Sequence, residues 1–182
     1  SMLSKLKYTG VSTIDLLEIY SLFIRSCAEY MSVVWHSSLT ILEANKIENI
    51  QKTSLKIILG ENYDDYFSSL AKTGLKSLSE RRKIRCLSFA KRCLKNPHTK
   101  EMFPLNPENV CNSRQPEKYS VNFARTENYL NSAVPYCQRL LNDDHKQEQE
   151  KRRERQEQEK GRERQEQAGH QRREGAAARR EG

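Results

Sequence analysis

One tryptophan, five prolines and seven glycines are spread over 182 residues, and what is missing narrows what this chain can be. No glycine-rich phosphate loop is present, which removes the Walker and dinucleotide-binding classes. The five cysteines, Cys27, Cys86, Cys93, Cys111 and Cys137, form no Cys-x-x-Cys pair. Even Cys93 with His98 and Cys111 has neither knuckle nor ribbon spacing, so no metal and no cofactor is expected. Such cysteines suit a reducing, intracellular compartment, cytoplasmic or nuclear, where they act as small hydrophobes. No long uncharged apolar run occurs: the stretch from Ile14 to Trp35 contains Asp15, Glu18, Arg25 and Glu29, which argues against a membrane span. The first residues lack the apolar core of a secretory signal. The chain starts at Ser1 instead of Met, which suits either a fragment or a start residue left from cloning.

Catalytic groups are equally scarce. His36, His98, His145 and His170 have no Ser or Cys nucleophile paired with them by sequence. Polymerase chemistry needs carboxylates on a strand pair holding two metal ions. Tyr63-Asp64-Asp65-Tyr66 superficially resembles the Tyr-x-Asp-Asp box, but the spacing differs by one residue and no apolar strand flanks it. Asp64 and Asp65 read instead as an acidic helix N-terminus. The reading is therefore of a chain that is not an enzyme by itself.

What is present is polar and basic. Hydrophobic residues make up 36% and charged residues 31%, with a formal net charge of +8. Residues 1–142 hold 20 Lys/Arg against 13 Asp/Glu, a net +7, and residues 143–182 hold 12 against 11, a net +1. A basic excess in the folded part favours an anionic partner such as nucleic acid. The same excess also suits a soluble basic domain with no polyanion ligand.

Apolar periodicity predicts an all-α fold, a bundle built on a long antiparallel helix pair. Leu16, Tyr20, Phe23, Cys27, Tyr30 and Val34 share one helical face, widened by Leu17, Ile24 and Met31. Ser12 and Asp15 mark the start of this helix. If continuous from Thr13 to Trp35, it is about 35 Å long. Thr40 and Glu43 form a capping box for a second helix that places Ile47, Ile50, Ser54 and Ile57 together and stops at Gly60. A shorter helix over 64–72 ends at Gly74. Ser77 and Glu80 open a third long one, which carries Ile84, Leu87, Phe89, Ala90 and Leu94 and ends before Asn96-Pro97. Residues 1–95 read as one helical bundle. Residues 96–142 read as an irregular Pro- and Asn-rich segment with a short closing helix, Leu140 and Leu141 facing the core. Beyond Asn142, Arg153-Glu154-Arg155-Gln156-Glu157-Gln158 recurs at Arg162-Glu163-Arg164-Gln165-Glu166-Gln167. The 143–182 tail reads as low-complexity frayed helix or disorder, interrupted at Gly161, Gly169 and Gly175.

Several ordered pieces together carry a resemblance: Leu16-Leu17-Glu18-Ile19-Tyr20, Phe23-Ile24-Arg25, Val34-Trp35-His36-Ser37-Ser38-Leu39-Thr40, Ile47-Glu48-Asn49-Ile50-Gln51-Lys52 and Leu55-Lys56-Ile57-Ile58-Leu59-Gly60. Leu78-Ser79-Glu80-Arg81-Arg82, Phe103-Pro104-Leu105-Asn106-Pro107 and Asn131-Ser132-Ala133-Val134-Pro135-Tyr136 continue it. Over residues 2–142 the chain resembles the thumb and post-thumb region of reverse transcriptases from non-LTR, LINE-type (jockey-like) retrotransposons. That family often has a proline after the arginine of the first helix; here Ser26 follows Arg25, which predicts a straighter helix.

The resemblance implies the C-terminal piece of an RNA-directed DNA polymerase, gripping the primer–template duplex for an active site on a fingers–palm body that is not in this chain. The residues offer material for such a grip. Lys46, Lys52 and Lys56 lie on the second helix, and Arg81, Arg82, Lys83, Arg85, Lys91, Arg92 and Lys95 on the third. Cations of this kind hold a duplex by its phosphates without reading sequence. In the window 80–95 these seven are opposed only by Glu80. Two other readings stand beside it: a protein–protein interaction module, and a degenerate retroelement copy with no selected function.

Overall fold

The structure, a computed structural model, describes residues 1–106 and 117–178. It is all-α. Helices α1 (Met2–Tyr8) and α2 (Thr13–Ile19) lead into a π-helical turn (Tyr20–Ile24), then α3 (Arg25–Ala28) and α4 (Ser32–Trp35). After a 3₁₀ turn come α5 (Ile41–Leu59), α6 (Tyr66–Thr73), α7 (Leu78–Cys93) and α8 (Pro97–Lys100). Two further helices are α9 (Glu127–Leu130) and α10 (Ala133–Ala178). No strand occurs among the described residues; Leu105 and Tyr119 form an isolated antiparallel bridge. Cys111, Pro107 and Pro116 lie outside the described residues. Two compact units are present, Ser1–Leu141 and Asn142–Gly182.

Most helix starts follow the local code. Thr40 and Glu43 satisfy each other's backbone N–H in a complete capping box. Ser12, Asp65 and Ser77 each accept a bond from the backbone of their helix's first turn. Gly74 ends α6 at φ +65°, a left-handed stop that glycine adopts without a Cβ clash. Other ends are closed from a distance. The Lys7 ammonium donates to the carbonyls of Ile57 (2.7 Å) and Ile58 (3.1 Å), capping the last turn of α5. Glu48, on α5, accepts from the backbone N–H of Leu78 (3.0 Å) and Ser79 (3.1 Å), so its carboxylate sits at the N-terminus of α7. It also accepts a short bond from the Tyr66 hydroxyl.

The first helix departs from the single rod that the periodicity predicts. The π turn at Tyr20–Ile24 inserts an extra residue, and Ser26 donates its hydroxyl to the Ser21 carbonyl at 3.3 Å. One inserted residue rotates everything after it by about 100°. The helix ends at Ala28, and Met31 turns the chain at φ +50°, the only non-glycine residue with positive φ among those described. Serine after Arg25 therefore does not give a straight helix. Leu16 and Tyr20 are buried as predicted, but Phe23, Cys27, Tyr30, Met31 and Val34 are exposed, and Glu29 is buried in their place.

The buried apolar residues form two clusters. One gathers Leu3, Leu16, Tyr20 and Ile58 around α1, α2 and α5. The other gathers Cys86, Ala90 and Cys93 of α7 with Phe103, Tyr119, Cys137, Leu140 and Leu141. Ile84, one of the apolar positions of α7, is nearly half exposed. The cysteines in the second cluster are free thiols: burial pushes Cys86 up to about 11 and Cys137 up to about 12. Such thiols are inert packing groups, as their sequence context suggested.

Residues 142–178 continue α10 without a break at Gly161, Gly169 or Gly175. The interruptions expected at these three glycines are absent from the described helix. Each glycine costs roughly 1 kcal/mol relative to alanine, but Glu, Gln, Lys and Arg are good helix formers, and the i,i+4 spacing of opposite charges supports the ladder.

Candidate nucleic-acid interface

Helix α7 positions most of the candidate cations. Leu78, Arg82, Cys86, Ala90 and Cys93 are its buried face, and the remaining side of the helix carries Arg81, Arg85, Lys91 and Arg92, with Lys95 two residues beyond its end. The structure sorts these residues by what holds them.

Arg81 and Arg85 are committed to Glu29. The Glu29 side chain is 1% exposed. Arg81 approaches it with a two-pronged contact, Nε at 2.7 Å and Nη2 at 3.1 Å. Arg85 adds Nη2 at 3.4 Å and donates from Nη1 to the Glu29 carbonyl at 3.2 Å. The bonds to Glu29 hold Arg81 above the usual arginine pKa. Arg25 lies in the same field, its pKa lowered by desolvation and then by the Arg81 charge. Glu29 thus fastens the start of the bundle to α7 and gathers more positive charge than it neutralises.

Arg82 is fully buried. Its guanidinium lies 5.8 Å from the Trp35 ring centre, and its Nε is 3.4 Å from Nδ1 of His36. His36 in turn contacts the Tyr136 hydroxyl through Nε2 at 3.3 Å. Arg82 is packed between the Trp35 ring and His36 and lines none of the grooves that hold the other candidates, so it separates from them. Burial, and then the neighbouring Arg82 charge, lower the His36 pKa.

Lys83, Lys91, Arg92 and Lys95 are exposed. Lys91, Arg92 and Lys95 line a shallow groove of about 320 Å³ together with Ile84, Leu87 and Ser88. On α5, Lys46 is exposed, while Lys52 and Lys56 lie over the rings of Tyr66 (5.2 Å) and Tyr63 (5.6 Å). The ten candidates therefore form a face on α7, a smaller set on α5, and one buried residue.

Sequence reasoning did not single out Glu29, Gln51 or Lys7. Gln51 is fully buried, accepts from the Tyr20 hydroxyl at 2.8 Å and donates to the Lys76 carbonyl at 2.9 Å. Desolvation keeps Tyr20 protonated well above the usual tyrosine range. One signal for Glu29 was available: a lone acid late in an apolar helix, answered by two arginines four residues apart.

The Tyr63–Tyr66 stretch is a helix start. Asp65 caps α6, and Asp64 pairs with Lys72 at 2.5 Å. Among the described residues no three His, Cys, Asp or Glu side chains gather as metal ligands, and no helix is long and apolar enough to cross a membrane. Compared with family models, curated proteins and solved structures, the chain gives no match.

Proposed function

We infer that this chain is a nucleic-acid-holding piece from the C-terminal side of a reverse transcriptase of the LINE type, non-catalytic alone, which grips an RNA/DNA duplex by its phosphates and braces a fingers–palm body. The observation that carries the reading is the outward face of α7: Lys91, Arg92 and Lys95 sit along one groove at the end of a well-anchored helix. Rigid presentation matters, because phosphate contacts position a duplex only when their spacing is fixed. The buried Cys86, Ala90 and Cys93 on the opposite side hold that helix against the core.

Support for the bracing part comes from exposed apolar surface. Phe23, Ile24, Cys27, Ala28 and Ile50 line an open apolar groove of about 500 Å³, and Phe23 is 62% exposed. Surface of this kind marks a protein contact. It equally suits the alternative of a module whose only ligand is another protein.

The two readings differ in charge dependence. Fluorescence anisotropy of the full chain with a 20-base-pair RNA/DNA hybrid should show binding that K91Q/K95Q weakens about tenfold, since each phosphate contact contributes to a salt-sensitive affinity. Wild-type and variant chains with equal affinity would remove the nucleic-acid reading and leave the protein-contact one.

A further inference from the structure

Next to the α7 groove lies a second cavity of about 230 Å³, built where α3 gives way to α4 and closed by α7. Its walls include Glu29, Met31, Ser32, Arg85, Ser88 and Arg92. We propose that this corner is a binding site for one phosphate group of a polynucleotide. The proposal rests on the reading given above and names a particular place for it.

Three observations carry it. The first is charge. The single carboxylate, Glu29, is saturated by Arg81 and Arg85, so Arg81, Arg85 and Arg92 leave a surplus of two positive charges around it. Arg25 adds to that field. A guanidinium held at a carboxylate still has further N–H donors, and its fork matches phosphate oxygens as well as carboxylate ones. Arg92 is exposed, so its charge is available at the rim.

The second is an unmet hydrogen bond. Ser32 is 2% exposed, and its hydroxyl oxygen has no partner. A buried hydroxyl left without a partner is costly, and native interiors rarely tolerate one. Ser88 brings a second hydroxyl to the same cavity.

The third is backbone strain at the rim. Met31 is held at φ +50°, ψ +25°, a conformation that costs a residue with a Cβ on the order of 1 kcal/mol. The turn is held by the bond from the Ser32 N–H to the Glu29 carbonyl (3.1 Å), and it brings Ser32 and Glu29 to one cavity. Strain of this kind persists where the surroundings over-determine it, commonly at ligand clamps. Arginine forks and serine hydroxyls around a cavity of about 230 Å³ suit a phosphate group.

The full chain is titrated with three probes: an RNA/DNA hybrid carrying a 5′-phosphate, the same hybrid with a 5′-hydroxyl, and inorganic phosphate followed by thermal shift. Arg92→Gln, at an exposed position, should weaken hybrid binding about tenfold and lower the salt slope by about one. Arg92→Lys should recover only part of the loss, because the fork is gone. Ser32→Ala should reduce affinity severalfold while leaving the melting temperature equal or higher. Where both variants lose affinity, a preference for the 5′-phosphate identifies a strand end as the ligand, and equal affinity with and without it identifies the backbone. Inorganic phosphate should raise the melting temperature of the wild type but not of Arg92→Gln. If Arg92→Gln and Ser32→Ala bind like wild type while K91Q/K95Q does not, the cavity is no phosphate site although the broader reading stands. If the wild type binds no hybrid at all, both fall.

Discussion

Truncating Arg81 should unfold this bundle far more readily than truncating any other basic residue on the exposed side of α7. Arg81→Ala removes the two-pronged partner of Glu29, whose side chain is 1% exposed. Breaking a buried ion pair from one side costs about 3–5 kcal/mol, because the remaining charge is left without compensation. Two features place this case at the lower end: the Arg85 contact at 3.4 Å survives, and Arg81 is itself 27% exposed. A loss of about 3 kcal/mol follows, or roughly a 10 °C drop in melting temperature for a unit of this size. Urea titration followed by Trp35 fluorescence is the suitable assay, because Trp35 lies beside Arg82 in the first unit while far-ultraviolet dichroism also reports the long α10. Glu29→Gln added to Arg81→Ala should recover part of the loss by removing the stranded charge. A cost below about 0.5 kcal/mol for Arg81→Ala would place the pair among solvated surface bridges and refute the argument.

The other expectations concern stability. The folded state holds His36 neutral, with its pKa below the ordinary value. Its contribution is fully present above about pH 6.5 and is lost as pH falls through the lowered value. His36→Gln should therefore flatten the pH dependence of the urea midpoint between pH 7 and 5. Thr40→Ala removes the cap of α5 and should cost about 1 kcal/mol, read as a shift in the same midpoint. Gly74→Ala meets no neighbouring atom but forces a Cβ into φ +65°, so it should cost on the order of 1 kcal/mol through strain alone.

Local signals were legible in the sequence, and long-range ones were not. Thr40 and Glu43 announce the start of α5 because both partners of the capping box lie within one turn, and Gly74 announces a stop for the same reason. The boundary between Leu141 and Asn142 matches a change in composition within a residue. The stripe through Phe23, Cys27 and Tyr30 did not survive, because burying Glu29 against Arg81 and Arg85 depends on residues 52 and 56 positions away. That pairing goes with the π turn and the Met31 bend, which re-aim the helix. A periodicity of 3.6 residues per turn contains no such information. The candidate site was legible as a charge imbalance in 80–95, but sequence could not separate the fully buried Arg82 from Arg92, since helix position alone does not reveal what packs opposite. The helix runs through Gly161, Gly169 and Gly175, where interruptions were expected, because good helix formers surround each glycine.

On the function proposed above, exposed cations on α7 meet polynucleotide phosphates. The most direct test is the slope of log affinity against log salt for the full chain and an RNA/DNA hybrid. Three or four phosphate contacts should give a slope of about −3. A slope near zero, with affinity retained at high salt, would show that the chain holds its partner by the apolar groove instead.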